Sequence, residues 1–498
     1  MRKLFCSAIA CLLLLACRPV QVPEQYKQLT LLPKIYPEYA DVTIPVNIAP
    51  LSFELLPKVD EAVIRYSAEG SEIVCGGVKA CPDIEEWHAL TSSAKGKDIT
   101  VEVFASKDGQ WHRFQPFFLH VSPDSIDPYL SYRLISPSYV SYEELTLNQR
   151  CLENYDEQVM VDNMLCSTES GGQCVNCHNF QQYNPDRMQF HARQAHGGTV
   201  IIYDGKAEKI NIHGDSLISS GVYPSWHPTL PLIAYSTNKT MQSFHTSDIN
   251  KIEVLDSESD LILYDVEHHE VGKISHEPDE LEIFPFWAPD GKALYFCSAH
   301  FEYENDTVDL SEITMRAKEV KYNIYRMAFD PAAKTFGPRE LVFDAAAEGK
   351  SATLPRISPD GRWLLFTLGE WGCFHIWHRD ADLWMIDLQN GEVKPMDALN
   401  SDNTESYHSW SSNGRWVVFS SRRNDGVFTR PFIAHVDAQG RASKPFELPS
   451  ENPDYHQQLI KSYNVPELMR GPVTFTPQQM ADILKGESTD VKEISLPK

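Results

Sequence analysis

Basic residues are scarce in this chain. Its 44 Lys and Arg stand against 69 Asp and Glu, a formal charge of −25 over 498 residues. A surface that acidic argues against nucleic acid as a partner and against charge-driven attachment to anionic lipid. After the first twenty residues no apolar run approaches the roughly 20 positions that a membrane-spanning helix needs. The nucleophile elbow, the phosphate loop and the H-E-x-x-H pair are all missing, so no motif for those enzyme chemistries is present. Cysteine is sparse as well: there are eleven, of which Cys6, Cys11 and Cys17 crowd into the first seventeen residues.

That start has an architecture of its own. Arg2 and Lys3 precede an apolar run from Leu4 to Ala16, followed by Cys17. The run is too short to span a bilayer and has the length of a signal-peptide core, so residues 1–16 are read as a signal. Small residues ending in cysteine resemble the lipobox of bacterial lipoproteins, which implies lipidation at Cys17. Residues 17–40 carry several prolines and no clear period, which predicts a tether. The expected place is the cell envelope of a Gram-negative bacterium, lipid-anchored and facing the periplasm, with the choice of membrane left open.

Eight cysteines then remain for an oxidising compartment. Cys75 and Cys81 bracket a short glycine-containing loop, and Cys151 and Cys166 flank a stretch that reads as helical; both pairs are candidate disulfides. Cys297 and Cys373 lie in consecutive repeats, as a cross-link or as buried thiols. Cys174 and Cys177 differ, because Cys174-Val175-Asn176-Cys177-His178 is C-x-x-C-H, the haem c attachment pattern. Two thiols at that spacing can add to the two vinyl groups of one haem, and the following histidine is placed to ligate the iron. A thioredoxin-type site would need a βαβ setting, and a zinc site further ligands.

A sixth iron ligand is sought just downstream. Residues 184–196 start with Asn184-Pro185 and meet no breaker before Gly197, which predicts a short helix. Met188 and His191 would share one face of it, and either is a candidate ligand; His196 is a weaker one. Methionine would raise the potential and a second imidazole would lower it, while an open position would admit ligands. Six further histidines, at 227, 245, 300, 375, 378 and 408, lack the tight spacing of a metal site and read as loop and capping residues.

Repeats organise the remainder. Trp226-His227-Pro228, Trp287-Ala288-Pro289-Asp290-Gly291-Lys292, Ile357-Ser358-Pro359-Asp360-Gly361-Arg362 and Trp410-Ser411-Ser412-Asn413-Gly414-Arg415 each precede a strand-like run. Asp-Gly and Asn-Gly favour tight hairpins, and hairpins recurring at blade-like spacing predict a β-propeller. The first copy has Thr229-Leu230-Pro231 where the others have the acidic-glycine turn, so its turn must differ.

These repeats resemble those of TolB-like propellers over about residues 197–450. Residues 126–135, 174–180, 406–413 and 461–468 extend that resemblance, to TolB-like lipoproteins with an inserted C-x-x-C-H segment. With the β-rich segments 63–66 and 99–104, the turn Lys107-Asp108-Gly109 and a helical pattern over 142–165, this predicts a mainly β fold: a β-sandwich over 41–122, a helical haem segment over 123–196, a TolB-like propeller of five to six blades over 197–475, and a tail over 476–498. First and last strands are expected to share one blade and so close the ring. Two functions fit this plan. One is a membrane-tethered monohaem c-type cytochrome whose propeller docks an envelope or redox partner. The other is a cell-envelope interaction scaffold in which the cysteine pair is structural.

Overall fold

A computed structural model describes residues 20–136, 144–167, 173–275, 277, 279–305 and 307–497. The signal segment and Cys17 lie outside the described residues. Among those described, no helix is long and apolar enough to cross a membrane. The chain divides into two compact units, residues 1–123 with 449–457, and residues 124–448 with 458–498.

The first unit is built on alternation. Glu61–Ala68 and Asp98–Lys107 pair antiparallel at the centre of a seven-stranded sheet, and a three-stranded sheet joins Lys34–Tyr36, Phe53–Leu56 and Lys79–Ala80. The two sheets meet through apolar rings, with Phe53 edge-on to Phe117. A helix that the sequence reading did not anticipate, Ile84–Ser93, is capped by the Asp83 carboxylate and buries Trp87 against Tyr66. The predicted tether is corrected over its later part. Lys27–Gln28 pairs with His112–Arg113, Lys34–Tyr36 is a strand, and Tyr39 is fully buried, so these residues belong to the folded unit.

The second unit is a β-propeller. Among the described residues it holds six blades, each built on four antiparallel strands, the third and fourth joined into one sheet by a parallel bridge from Ser259 to Leu281. The innermost strands are, in order, Ser462–Met469, Gln173–Phe180, Gly221–Trp226, Glu280–Trp287, Ser351–Ile357 and Glu405–Trp410. Each inner strand packs on the next, and the last returns to the first, so the ring is closed. The join is made in the first blade, where C-terminal Ser462–Met469 pairs antiparallel with Tyr129–Ile135. Closure by first and last strands was expected; its location was not. The propeller begins near residue 124 rather than 197, and its last inner strand ends at Met469.

The helical expectation for residues 123–196 is likewise corrected. Thr146–Cys151 and Glu157–Asp162 are strands of the first blade, and Arg187–Gln194 is the second strand of the next blade. Met188, Phe190 and Ala192 point into one apolar core, while Gln189 and His191 alternate with them on the opposite face of the strand. That is a period of two, and pairing with both neighbouring strands decides the backbone over local propensity.

Turn chemistry explains the repeats. Asp290, Asp360 and Asn413 each accept the backbone N–H two residues on, at 2.9, 3.1 and 3.1 Å, and glycine follows each in the left-handed region. In the divergent copy His227 takes over this work. Its Nδ1 accepts the N–H groups of Thr229 and Leu230 at 3.2 and 2.9 Å, while Nε2 lies 3.0 Å from the Gly291 carbonyl.

The C-terminal segment is not a loose tail. Thr476 and Gln479 form a capping box on the helix Pro477–Lys485, which buries Met480, Ala481 and Leu484. Thr489–Asp490 and Lys492–Glu493 then add parallel strands to the outer edges of the second and third blades. Those additions cover edges that would otherwise be unpaired.

Candidate functional site

The inner strands share a backbone device that brings the site together. Each contains a register shift and one residue in the left-handed region: Cys177, Tyr223, Phe284, Leu354, Tyr407 and Val465. The next residue is proline in four strands, Pro224, Pro285, Pro355 and Pro466, but His408 in one and His178 in another. The C-x-x-C-H motif is therefore the inner strand of the second blade. It is not an insertion.

In a regular strand, residues three apart point to opposite faces. Here the shift between Asn176 and Asn179, with Cys177 at φ 54°, turns the chain so that Cys174, Cys177 and His178 all line one chamber. Gln189 donates to the Cys177 carbonyl and helps fix that kink, and Tyr235 in turn donates to Gln189 at 3.4 Å. The chamber has a volume of about 410 Å³, within the range of small-molecule and cofactor sites. Its wall includes Tyr223, Phe284, Phe374 and Tyr407, together with Arg133, Arg193, Arg356 and Glu467. A smaller cavity of about 160 Å³, lined by Trp226, Trp287 and Trp410, shares Arg356 and Glu467 with it.

His178 is 2 % exposed, and neither ring nitrogen makes a hydrogen bond of good geometry, although the Val465 backbone lies near enough to act on it. Burial, then the charge of Arg133, hold its pKa down to about 3, with the Val465 backbone acting in the opposite sense. The imidazole is therefore neutral, the form that ligates a metal. Burial also raises the Cys174 thiol, opposed by Arg133 and Arg193. Glu467 is pushed up to about 7 by burial, although Asn179 donates to it at 2.7 Å.

The two candidate sixth ligands are not brought to the chamber. Met188 is fully buried in the core between the first two blades, beside Phe180, Phe190 and Met480. His191 Nδ1 lies 3.2 Å from the Thr199 hydroxyl, and burial holds its pKa to about 3. Three residues apart on a helix share a face, but on this strand they do not. His196 is outside the chamber wall too. The substitution Met188→Ala is expected to cost about 2–5 kcal/mol of stability through the cavity it leaves. Thermal unfolding measures that loss, and visible spectra of the same protein are expected to stay unchanged.

None of the other six histidines lines the chamber, although the His375 and His378 rings lie 5.3 Å apart. His378 Nε2 lies 2.6 Å from Glu253, His375 Nδ1 lies 2.8 Å from Thr353, and His408 Nε2 lies 2.9 Å from the Leu365 carbonyl. No group of three metal-ligating side chains occurs among the described residues. His408 has a pH signature instead. Burial, then Arg356, lower its pKa to about 3, so its contribution to folding is present above the unfolded value near 6.5 and is lost as pH falls towards 3. Thermal melts at pH 7 and 4.5 are expected to show a smaller acid loss for His408→Gln than for the wild type.

All eight described cysteines are free thiols. The proposed Cys151–Cys166 disulfide is excluded by geometry. Cys151 ends one strand of a hairpin whose other strand runs away from it, Cys166 follows that second strand, and Thr146, not Cys151, opposes Asp162. About 17 Å of strand separates the two ends, against at most ~7 Å for a disulfide. Cys75 and Cys81 are close enough for their charges to interact, and burial raises the Cys75 pKa to about 11. Cys297 and Cys373 lie in one apolar core as thiols.

Arg133, Arg193, Arg356 and Glu467 escaped the sequence reading. Aligning Cys177-His178 with Tyr223-Pro224 and Val465-Pro466 would have placed the motif on the channel wall, and Glu467 two positions after Val465.

No family model matches the chain, and no curated protein matches it. Solved structures with a similar fold include a prolyl endopeptidase at 11 % identity and a TM-score of 0.34, over 64 % of this chain and 42 % of the other. A puromycin-hydrolysing peptidase of Mycobacterium tuberculosis gives 12 % and 0.35, over 82 % and 57 %. The hydrazine synthase of Kuenenia stuttgartiensis gives 12 % and 0.32, over 53 % and 64 %. This chain thus spans less than two thirds of each of those chains.

Proposed function

We propose that this chain is a monohaem c-type redox protein that carries its haem in the central chamber of the propeller. The carrying observation is His178, buried with neither nitrogen in a hydrogen bond of good geometry, beside two thiols that a strand kink brings to the same wall. A buried polar group without a partner is costly, and a metal ligand is a common reason to keep one. Cys174 and Cys177 would hold the group by thioether bonds, and His178 would ligate its iron. When bound, such a group supplies one-electron exchange at a potential set by its axial ligands and surroundings. Tyr223, Phe284 and Phe374 give the wall its apolar part, and Asn179 donates to Glu467 at 2.7 Å.

With Met188 in the core and His191 on Thr199, no methionine, lysine or second histidine lines the chamber among the described residues. On this reading His178 is the one residue of the described wall that would ligate the iron, in a chamber that would have room for a small molecule as well. The TolB-like repeats, the lipobox at Cys17 and the export-type start support a lipid-anchored envelope protein whose propeller docks a partner.

The test is expression in a host that matures haem c, followed by intact mass and a pyridine haemochrome spectrum. One covalent haem per chain supports the proposal. No haem despite active maturation moves the function to an envelope interaction scaffold with a structural cysteine pair.

A further inference from the structure

The chamber's charge runs against that of the whole protein. Three guanidiniums, Arg133, Arg193 and Arg356, line it against a single carboxylate, Glu467, in a chain of net charge −25. They come from three blades, on the strands Tyr129–Ile135, Arg187–Gln194 and Ser351–Ile357. Among the described residues none of the three forms an ion pair within 4.0 Å.

Arg133 is 6 % exposed and its buried Nε has no partner. Its Nη2 is satisfied at 3.2 Å by Asn464 once that amide is turned to present oxygen. Its charge acts on both Cys174 and His178, so it lies beside the motif. Arg193 is exposed at the chamber wall and is the direct cross-strand partner of Cys174. Arg356 donates to the Pro355 carbonyl at 2.9 Å and sits 5.1 Å from the centre of the Phe286 ring.

Glu467 offsets part of the Arg356 charge and Arg193 is exposed, so the desolvation cost falls mainly on Arg133, and the wall as a whole keeps a net positive charge that an arriving anion would neutralise. A guanidinium fork matches the two oxygens of a carboxylate or similar oxyanion. We propose that Arg133, Arg193 and Arg356 make this chamber a receptor for a carboxylate or small oxyanion. The inference rests on the reading that the chamber houses the haem. The anion has two sources, the carboxylates of the haem itself or a free ion taken up in the same chamber.

Ferric holoprotein titrated with nitrite and followed by the Soret band separates them, with imidazole as the neutral control. Arg133→Gln and Arg193→Gln are the variants, each checked for fold by circular dichroism. For a free anion, nitrite shifts the band saturably, each substitution weakens it about tenfold, and imidazole binding is unchanged. For the haem's own carboxylates, nitrite has no effect, and each substitution lowers the midpoint potential because it removes compensating positive charge. Holoprotein in which neither substitution moves nitrite binding or potential overturns the proposal while leaving the haem reading intact.

Wild-type protein without haem overturns the parent reading alone. Saturable binding of inorganic phosphate to it by calorimetry, weakened by Arg133→Gln, keeps the anion site. No binding there removes that site too.

Discussion

Cys174→Ala/Cys177→Ala is expected to abolish covalent haem completely, leaving a chain whose intact mass is that of the polypeptide alone. Both thiols line the same chamber, so either single variant retains one possible attachment and only the double variant removes both. The fold is expected to survive, since both cysteines are only partly buried and neither belongs to the buried set of the blade cores. Circular dichroism of the double variant therefore matches the wild type while the haemochrome spectrum disappears. His178→Ala gives a different result. The two thiols would still attach the group, and the visible spectrum of the native protein, rather than the haemochrome in which pyridine replaces the axial ligands, would report loss of the imidazole. A double variant that still carries covalent haem would sink the assignment to this strand.

Truncation after Gln457 is expected to have the largest effect on stability. It removes Ser462–Met469, leaving Tyr129–Ile135 without its inner partner and the ring open. Tyr463, Leu468 and Met469 are almost wholly buried, and the helix beyond adds Met480 and Leu484 to the core. Losses of about 2–5 kcal/mol for each large buried side chain together exceed the ~5–15 kcal/mol by which a domain is typically stable. The truncated protein is expected to show no cooperative thermal transition and rapid proteolysis of residues 124–457. A sharp melt near the wild-type temperature would mean that the remaining five complete blades hold together without this closure.

The propeller was legible where turn chemistry and strand composition coincide. Asp290-Gly291 and Asp360-Gly361 announce hairpins, and Trp363 to Phe366 announces the strand that follows. The first two blades were hidden because their cues conflict. Pro185 and a long run without glycine suggest a helix over residues 184–196, whereas the alternation of Met188, Phe190 and Ala192 is what the sheet uses. The cysteine motif was legible as chemistry, because spacing and residue type suffice for that. Its setting was not, since nothing local to residues 174–178 states that a left-handed residue will align it with Tyr223, Phe284 and Leu354. The arginines of the chamber are far apart in sequence, and only closure of the ring makes them neighbours.

Ring closure also sets an order of assembly. The strand that completes the inner wall is made long after its partner near Tyr129, which it must find across most of the unit's length. Pairings this distant form late because the entropy of closing the loop opposes them. Val465 and Glu467, on that same strand, stand at the wall beside His178. Before the strand docks, Cys174 and Cys177 lack part of the wall that later surrounds them. If the chamber carries the proposed haem, loading would have to precede this closure, and a chain that closed first would be a dead end for maturation.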